Sequence, residues 1–222
     1  MAVTLVGRKI VTNTGVSSGT VITADFTSGL TGGSDSGASS GDLVVATIVW
    51  ATTTNRTLAM DSSGWTATAQ QRADDNDDTV TRLHYKTISS DTDFQFHSDA
   101  GSTEGVCCII DVYRGHDTVT PMDVTPTAVT ITNTDRFNPP SITPTTVGAF
   151  VSTAGGGGRG SVTSTYTASA LTNFVTAAAQ GSSKGAVAGV GTITSSWSSG
   201  AQDSAAWTGG NNNAANSAAG YA

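Results

Sequence analysis

Residues that could carry chemistry are few in this chain, and they are scattered along it. The three histidines, His84, His97 and His116, lie in different segments, and Glu104 is the only glutamate. The sequence has no metal-ligand pair at helical spacing and no cradle for a cofactor. Paired carboxylates for glycoside hydrolysis stay an open alternative, because their separation is set by the fold. We therefore predict that the protein is not an enzyme, and we assign it no catalytic, cofactor-binding or metal-ligating residues.

The densest acidic stretch runs from Arg72 to Asp78 and contains four aspartates and one asparagine. Clustered carboxylate and amide oxygens are the ligands that Ca²⁺ takes in proteins. The stretch lacks the glycine at the sharp turn and the terminal glutamate of a calcium loop. Two interpretations stay open: a solvated loop between strands, which is the simpler, and a calcium site at Asp74 to Asp78.

Two adjacent cysteines, Cys107 and Cys108, lie in an apolar run. Neighbouring strand residues point to opposite faces, so we predict two buried thiols that do not bond to each other. Two cysteines provide neither a disulfide framework nor a zinc site. The glycine run Gly155 to Gly160 lacks the lysine of a phosphate-binding loop and is predicted to be a flexible loop.

The elements that must position these residues are strands. Leu43 to Trp50 is predicted to be a central strand with both faces apolar, because its residues are β-branched, aromatic or small. Glu104 to Tyr113 is the other near-continuous apolar strand, and we expect it in a sheet interior with the first strand as a candidate neighbour. Thr79 to Ile88 and Asp93 to His97 alternate, which predicts one core face and one solvent face for each.

Composition favours a single all-β domain. Only 12% of the residues are charged, and Gly, Ser, Thr, Ala and Asn dominate the rest. This composition is typical of sheets and turns rather than of helical surfaces. Val3 to Val11 is predicted to be a strand that starts on an edge. The tract Ser28 to Gly41 is either a solvated surface loop or a segment that wraps over a neighbouring subunit.

Charge limits the classes of partner. The net charge is −7 and no basic cluster occurs, so we expect no nucleic-acid partner, because Lys and Arg are needed to neutralise phosphates. The apolar runs are too short for a membrane span, and no membrane partner is expected. The first ten residues lack the basic and apolar regions of a signal peptide, which predicts synthesis in a cytoplasm without Sec export.

Several short motifs follow one another in an order that resembles a known family. They are Gly41-Asp42-Leu43-Val44-Val45 before the strand ending at Trp50, Ser63-Gly64-Trp65-Thr66, His84-Tyr85-Lys86-Thr87, Ile109 to Asp117, Thr120-Pro121-Met122-Asp123 and Pro140-Ser141-Ile142-Thr143. The set resembles a sandwich domain of structural and tail-associated proteins of tailed bacteriophages. The resemblance implies an all-β fold, an antiparallel jelly-roll-like β-sandwich with long Gly/Ser/Thr-rich loops, located in the virion. It brings no catalytic residues.

Residues 1–39 have no counterpart in that family. We therefore divide the chain into N-terminal strands and loop, 1–39, and a β-sandwich domain, 40–222. The first part is a candidate inter-subunit arm, and its removal is expected to leave the sandwich folded.

Two functions follow as expectations. The first is a bacteriophage virion structural protein that decorates or cements the capsid through contacts with the major capsid protein or with tail proteins. The alternative is a tail-fibre or tail-tip module that binds glycans or a receptor. Sugar binding needs at least two aromatic side chains on one open surface, chosen from Trp65, Trp197, Trp207 and Tyr166. In either setting we expect a homo-oligomer, with a trimer favoured.

Overall fold

The computed structural model describes residues 2–15, 19–52, 56–74, 78–99, 104–131, 136–162, 165–209 and 217–221. These residues contain seventeen strands and no helix, and every strand pair is antiparallel, which confirms the all-β prediction. The strands are β1 (Thr4–Thr14), β2 (Ile22–Asp25), β3 (Leu43–Thr52), β4 (Leu58–Met60), β5 (Thr66–Ala67), β6 (Gln71–Ala73), β7 (Asp78–Thr87), β8 (Asp93–Ser98), β9 (Gly105–Arg114), β10 (Ala128–Ile131), β11 (Arg136–Phe137), β12 (Val151–Arg159), β13 (Tyr166–Thr167), β14 (Thr172–Gln180), β15 (Gly185–Thr194), β16 (Trp207–Gly209) and β17 (Ser217–Tyr221).

The largest sheet, which we call the central sheet, has the strand order β1-β9-β3-β7-β5, and β6 also pairs with β7. Strand β3 therefore lies between β9 and β7, as predicted for Leu43 to Trp50. Its side chains alternate between two cores, with Trp50 in one and Val49 in the other. Both faces of this strand are covered because a further sheet packs on each side.

One of these neighbours is the facing sheet, with the order β10-β17-β12-β15-β14. It packs on the central sheet through small and branched side chains, including Ala154, Ala186 and Ala188 against Val49 and Ile109. Small residues let the two backbones approach closely over a broad area. The two large sheets thus form a sandwich whose edges stay open, and a jelly-roll topology is not confirmed.

Two three-stranded sheets cover the outer faces. The Phe94 sheet, β2-β8-β4, packs Phe94 and Phe96 onto the outer face of the central sheet. The Trp207 sheet, β11-β16-β13, packs Trp207 and Tyr166 onto the facing sheet. The alternation predicted for Asp93 to His97 is confirmed, since Phe94 and Phe96 are buried between half-buried neighbours.

The adjacent cysteines occupy different cores, as predicted. Cys107 lies between the central and facing sheets, and Cys108 lies beneath the Phe94 sheet. Both thiols are free and buried. Burial raises the pKa of Cys107 to about 12 and raises that of Cys108 as well.

The glycine run is not a loop, contrary to the prediction. Gly155 to Gly158 and Arg159 belong to β12, which pairs with β15 on one side and with β17 on the other. A β-carbon placed on Gly156 would lie 2.0 Å from the carbonyl oxygen of Val187. Glycine is required at this position because the neighbouring strand leaves no room for a side chain.

A solvent face on Thr79 to Ile88 was also wrongly predicted. Strand β7 is buried on both sides over much of its length, with Thr81 and His84 both fully buried. The Phe94 sheet covers His84, whose ring lies 5.2 Å from the ring of Phe94. A local alternation pattern does not reveal a second layer on the polar side.

The N-terminal segment is built into these sheets. Strand β1 pairs with β9 at the edge of the central sheet, and β2 pairs with β8. The following loop hydrogen-bonds back to β1, with Ser34 N donating to Leu5 O and Asp35 N to Val6 O. The boundary at residue 39 therefore corresponds to no break in the sheets, and a role of this segment between subunits stays a prediction.

Candidate functional site

A cleft of about 1000 Å³ opens at one end of the sandwich, where β3 begins and β9 ends. Its floor is apolar and consists of Leu43, Val45, Leu83 and Tyr113 of the central sheet. Two loops, 115–126 and 142–150, form its walls. Phe150 closes the floor against Tyr113, with their ring centroids 5.0 Å apart. The volume lies within the range of ligand-binding clefts, and the floor is apolar.

Asp42 and Arg114 brace the base of the cleft. Arg114 donates from Nε to Oδ1 of Asp42 and from Nη2 to Oδ2, each at 2.8 Å. The Asp42 carboxylate also accepts from Ser39 N at 2.8 Å and is 2% exposed. Hydrogen bonding to Asp42 raises the pKa of Arg114, against the opposing effect of burial. A bidentate pair of this kind holds the start of β3 to the end of β9 in one geometry.

Asp123 ties the two walls together. Its carboxylate accepts from Thr145 N at 2.6 Å, from Thr145 Oγ1 at 3.0 Å and from Thr146 N at 3.2 Å. Burial acts to raise the pKa of Asp123, but the hydrogen bonds from Thr146 and Thr145 outweigh it and lower the pKa overall. Asp117 shapes its own loop in the same way, accepting from Val119 N and Thr120 N. Both carboxylates therefore hold the loops that form the walls of the cleft.

His116 contacts the hydroxyl of Thr87, with Nε2 2.8 Å from Oγ1. Its Nδ1 is buried and has no hydrogen-bond partner among the described residues. Burial lowers the pKa of His116, although Asp42 and Asp117 act against this shift. In a nucleophilic triad a carboxylate would hold Nδ1 and orient the ring. No described carboxylate accepts a hydrogen bond from this Nδ1, so the described residues do not give the pair the arrangement that activates a hydroxyl.

The other two histidines lie elsewhere. His84 is in the core beneath the Phe94 sheet, and His97 Nδ1 lies 2.8 Å from Oδ2 of Asp61 at the surface. Three Gly-x-Ser-x-Gly strings occur in the sequence, at 15–19, 37–41 and 181–185. The middle of the first lies outside the described residues, and the other two precede β3 and β15 in turns, where neither forms the strand-to-helix elbow of a hydrolase. The structure therefore does not bring the scattered chemical groups of the sequence together.

The acidic stretch is only partly described, because Asp75, Asn76 and Asp77 lie outside the described residues. Arg72 forms ion pairs with both Asp74 and Asp78. Within the part of the chain that the structure describes, no group of three or more His, Cys, Asp or Glu side chains is placed to hold a metal ion. The calcium interpretation stays untested at its three central residues.

The aromatic residues named for sugar binding are all buried. Trp65 is 6% exposed, Trp197 9%, Trp207 0% and Tyr166 3%. Trp65 packs against Phe94, and Trp207 against Phe137 and Phe174. None of the four presents an open face on which a sugar ring could stack.

Sequence reasoning missed the residues that build the cleft. Asp42 and Arg114 are 72 positions apart, and Asp123 and Thr145 are 22 apart. The signal was present in the turn motifs, because those at 41–45, 84–87, 109–117, 120–123 and 140–143 all contribute to the cleft or to its bracing. What these five motifs share is their place at this end of the sandwich.

Among the described residues, no helix has the length and hydrophobicity to cross a membrane. No family model matches the sequence, and comparisons with curated proteins and with solved structures found no match either.

Proposed function

We propose that this protein is a structural component of a tailed-bacteriophage virion that decorates or cements the capsid. Its partners in this proposal are other virion proteins, the major capsid protein first, and it acts as a homo-oligomer without nucleic-acid or membrane partners. The observation that carries the proposal is the cleft end of the sandwich, a braced surface with an apolar floor and exposed valines on its loops. The ordered turn motifs support the same setting.

Each of the two cleft loops exposes one valine that a partner surface could cover. Val119 is 86% exposed and Val147 is 75% exposed. Covering each valine with a partner surface would contribute about 1–2 kcal/mol. The Asp42–Arg114 and Asp123–Thr145 contacts hold these loops before binding, which reduces the entropy lost on docking. These features suit a contact surface better than a catalytic one.

The architecture is compatible with this role. We propose that the two large antiparallel sheets, with their long loops, belong with the jelly-roll-like sandwiches of virion proteins. Such sheets provide a stiff scaffold with loops gathered at one end, which is where the cleft lies.

Antibody labelling of intact particles by electron microscopy tests the location. Serum raised against this chain should label the head at regular positions, and particles lacking the protein should then lose capsid integrity at lower temperature. Label confined to the tail tip or fibres would move the protein to the alternative role in receptor binding. Particles without label would overturn the virion proposal.

The surface itself is tested by Val147→Asp, which places a charge at the cleft and should weaken incorporation into particles. Val21→Asp is the matched control, because Val21 is also exposed, at 46%, but does not line the cleft. Equal incorporation of both variants would overturn the assignment of the cleft as the contact surface.

A further inference from the structure

Strand β14 forms an edge of the facing sheet, and its part from Val175 to Gln180 is unprotected. It pairs only with β15, and among the described residues no strand or loop backbone pairs with its other side. Its nine residues, Thr172 to Gln180, include neither a charged residue nor a proline. Soluble proteins ordinarily guard a strand edge with a charge, a proline, a bulge or a covering loop, because its free N–H and C=O groups recruit other strands.

Every other sheet edge in the described chain is short, charged or covered. Seven of these edge strands have four residues or fewer, namely β2, β4, β5, β6, β10, β11 and β13. Strand β1 is longer, but it carries Arg8 and Lys9, and Thr31 pairs with Arg8 through reciprocal backbone hydrogen bonds of 2.9 Å. Among the strands that the structure describes, β14 is thus the one long uncharged edge. A register shift between Thr172 and Val175 leaves Val175–Gln180 as its regular part.

An exposed isoleucine lies beside this edge. Ile10 of β1 is the register partner of Ile109, whose side chain belongs to the core between the two large sheets. Cross-strand partners share a face, so Ile10 also faces the facing sheet. Strand β1 contacts β14, the last strand of that sheet, and Ile10 is left 44% exposed. A further strand added to β14 would lie where it covers Ile10.

We propose that β14 pairs antiparallel with β14 of a second copy of this chain about a two-fold axis. The two facing sheets then become one continuous sheet, and Ile10 of each protomer packs on the added strand. An uncharged strand is compatible with its own copy, because no like charges are brought opposite each other. The same surface on both protomers makes the contact isologous and closed.

This contact gives an oligomer of even number, built from dimers, rather than the expected trimer. It does not depend on where the protein works. A trimer through this sheet would need β14 to pair with the opposite edge strand, β10, in a head-to-tail ring. The two arrangements differ in whether β10 takes part.

Sedimentation velocity of the full-length chain over a range of concentrations is the test. We expect a dimer for the native protein, and at least about a tenfold weaker dimer for Ala178→Lys, which places like charges near the centre of the strand pair. Ala178 is exposed, so the substitution is compatible with the fold. The matched control is Ala128→Lys, since Ala128 is exposed on β10 at the opposite edge of the same sheet.

A native chain that stays monomeric at its highest soluble concentration would overturn the proposal. Weakening by Ala128→Lys as well would replace the two-fold contact with the head-to-tail one. If Ala178→Lys does not fold, amide hydrogen exchange of the native chain is the deciding measurement. Protection of the Val175–Gln180 amides that increases with protein concentration supports the contact. Protection that is independent of concentration overturns it. None of these results bears on particle labelling, so this contact and the proposed location in the virion fail separately.

Discussion

Arg8 and Asp111 form a buried ion pair that joins the first strand of the chain to the middle of the central sheet. They are register partners on β1 and β9, and Arg8 Nε donates to Asp111 Oδ1 at 2.6 Å. Their side chains are 2% and 4% exposed. Tyr113 Oη donates to the other carboxylate oxygen at 2.9 Å. The N-terminal strand is thus held by one of the most deeply buried charges in the described fold.

Removing one partner of this pair leaves the other buried and unpaired. We expect Arg8→Ala to lower the free energy of unfolding by about 3–5 kcal/mol, measured by urea denaturation. The double substitution Arg8→Met with Asp111→Leu should recover most of that loss, because it removes both charges. Lys9→Ala, one residue away and less buried, should cost under about 1 kcal/mol. A small effect of Arg8→Ala would show that the pair adds nothing to stability.

Deleting residues 1–39 is expected to unfold the protein, which reverses the expectation drawn from the sequence. The deletion removes β1 from the central sheet and β2 from the Phe94 sheet, and it leaves Asp111 without Arg8. Circular dichroism and thermal unfolding of the 40–222 chain provide the measurement. A cooperative transition like that of the full chain would restore the view of these residues as an independent arm.

Gly156→Ala is expected to destabilise the protein by about 3 kcal/mol or more, because the new methyl group collides with the backbone of β15, which cannot move aside as a flexible side chain could. The control is Gly19→Ala, at a positive φ of 69° with nothing within 4 Å of the new methyl group. That substitution carries only the backbone strain of about 1 kcal/mol. Equal unfolding midpoints in urea for the two variants would contradict the close approach seen at Gly156.

Stability should fall as the pH drops from about 6.5 to about 4 because of His84. Burial lowers the pKa of His84 to about 4, with a smaller contribution from Arg82. In the unfolded chain His84 binds its proton at the ordinary pKa of histidine, so protonation favours unfolding across this window. Below about pH 4 the folded protein is protonated as well, and His84 causes no further loss of stability. The loss amounts to about 3 kcal/mol.

His84→Phe should remove this part of the pH dependence in urea titrations between pH 7 and pH 4, whereas His97→Gln should retain it. Carboxylates whose pKa values are lowered, such as Asp117 and Asp123, change the stability of the protein at lower pH. A pH dependence unchanged by His84→Phe would place its origin elsewhere.

Both cysteines should be unreactive in the native protein. Their buried thiols with raised pKa values contain little thiolate at neutral pH, and the thiolate is the reactive form. Ellman's reagent should react with neither thiol in buffer and with both in urea. Rapid reaction in buffer would contradict the burial of Cys107 and Cys108.

Much of the sheet structure could be predicted from residue patterns alone. The run Leu43 to Trp50 predicted a two-sided central strand, and the adjacency of Cys107 and Cys108 predicted opposite cores, because side-chain alternation is a local property of the backbone. These features depend only on residues close together in the chain.

Tertiary structure alone decided the rest. The glycine run forms β12 because β15 and β17 pair with it on both sides, and glycine has no side chain from which such pairing could be predicted. His84 is buried because the Phe94 sheet covers a polar face of β7. The cleft keeps its shape because Asp42 is hydrogen-bonded to Arg114, and Asp123 to Thr145. The members of each pair are far apart in the sequence. Contacts of that kind depend on which strands pair and which layers stack, and these choices are made by the whole chain rather than by any one segment.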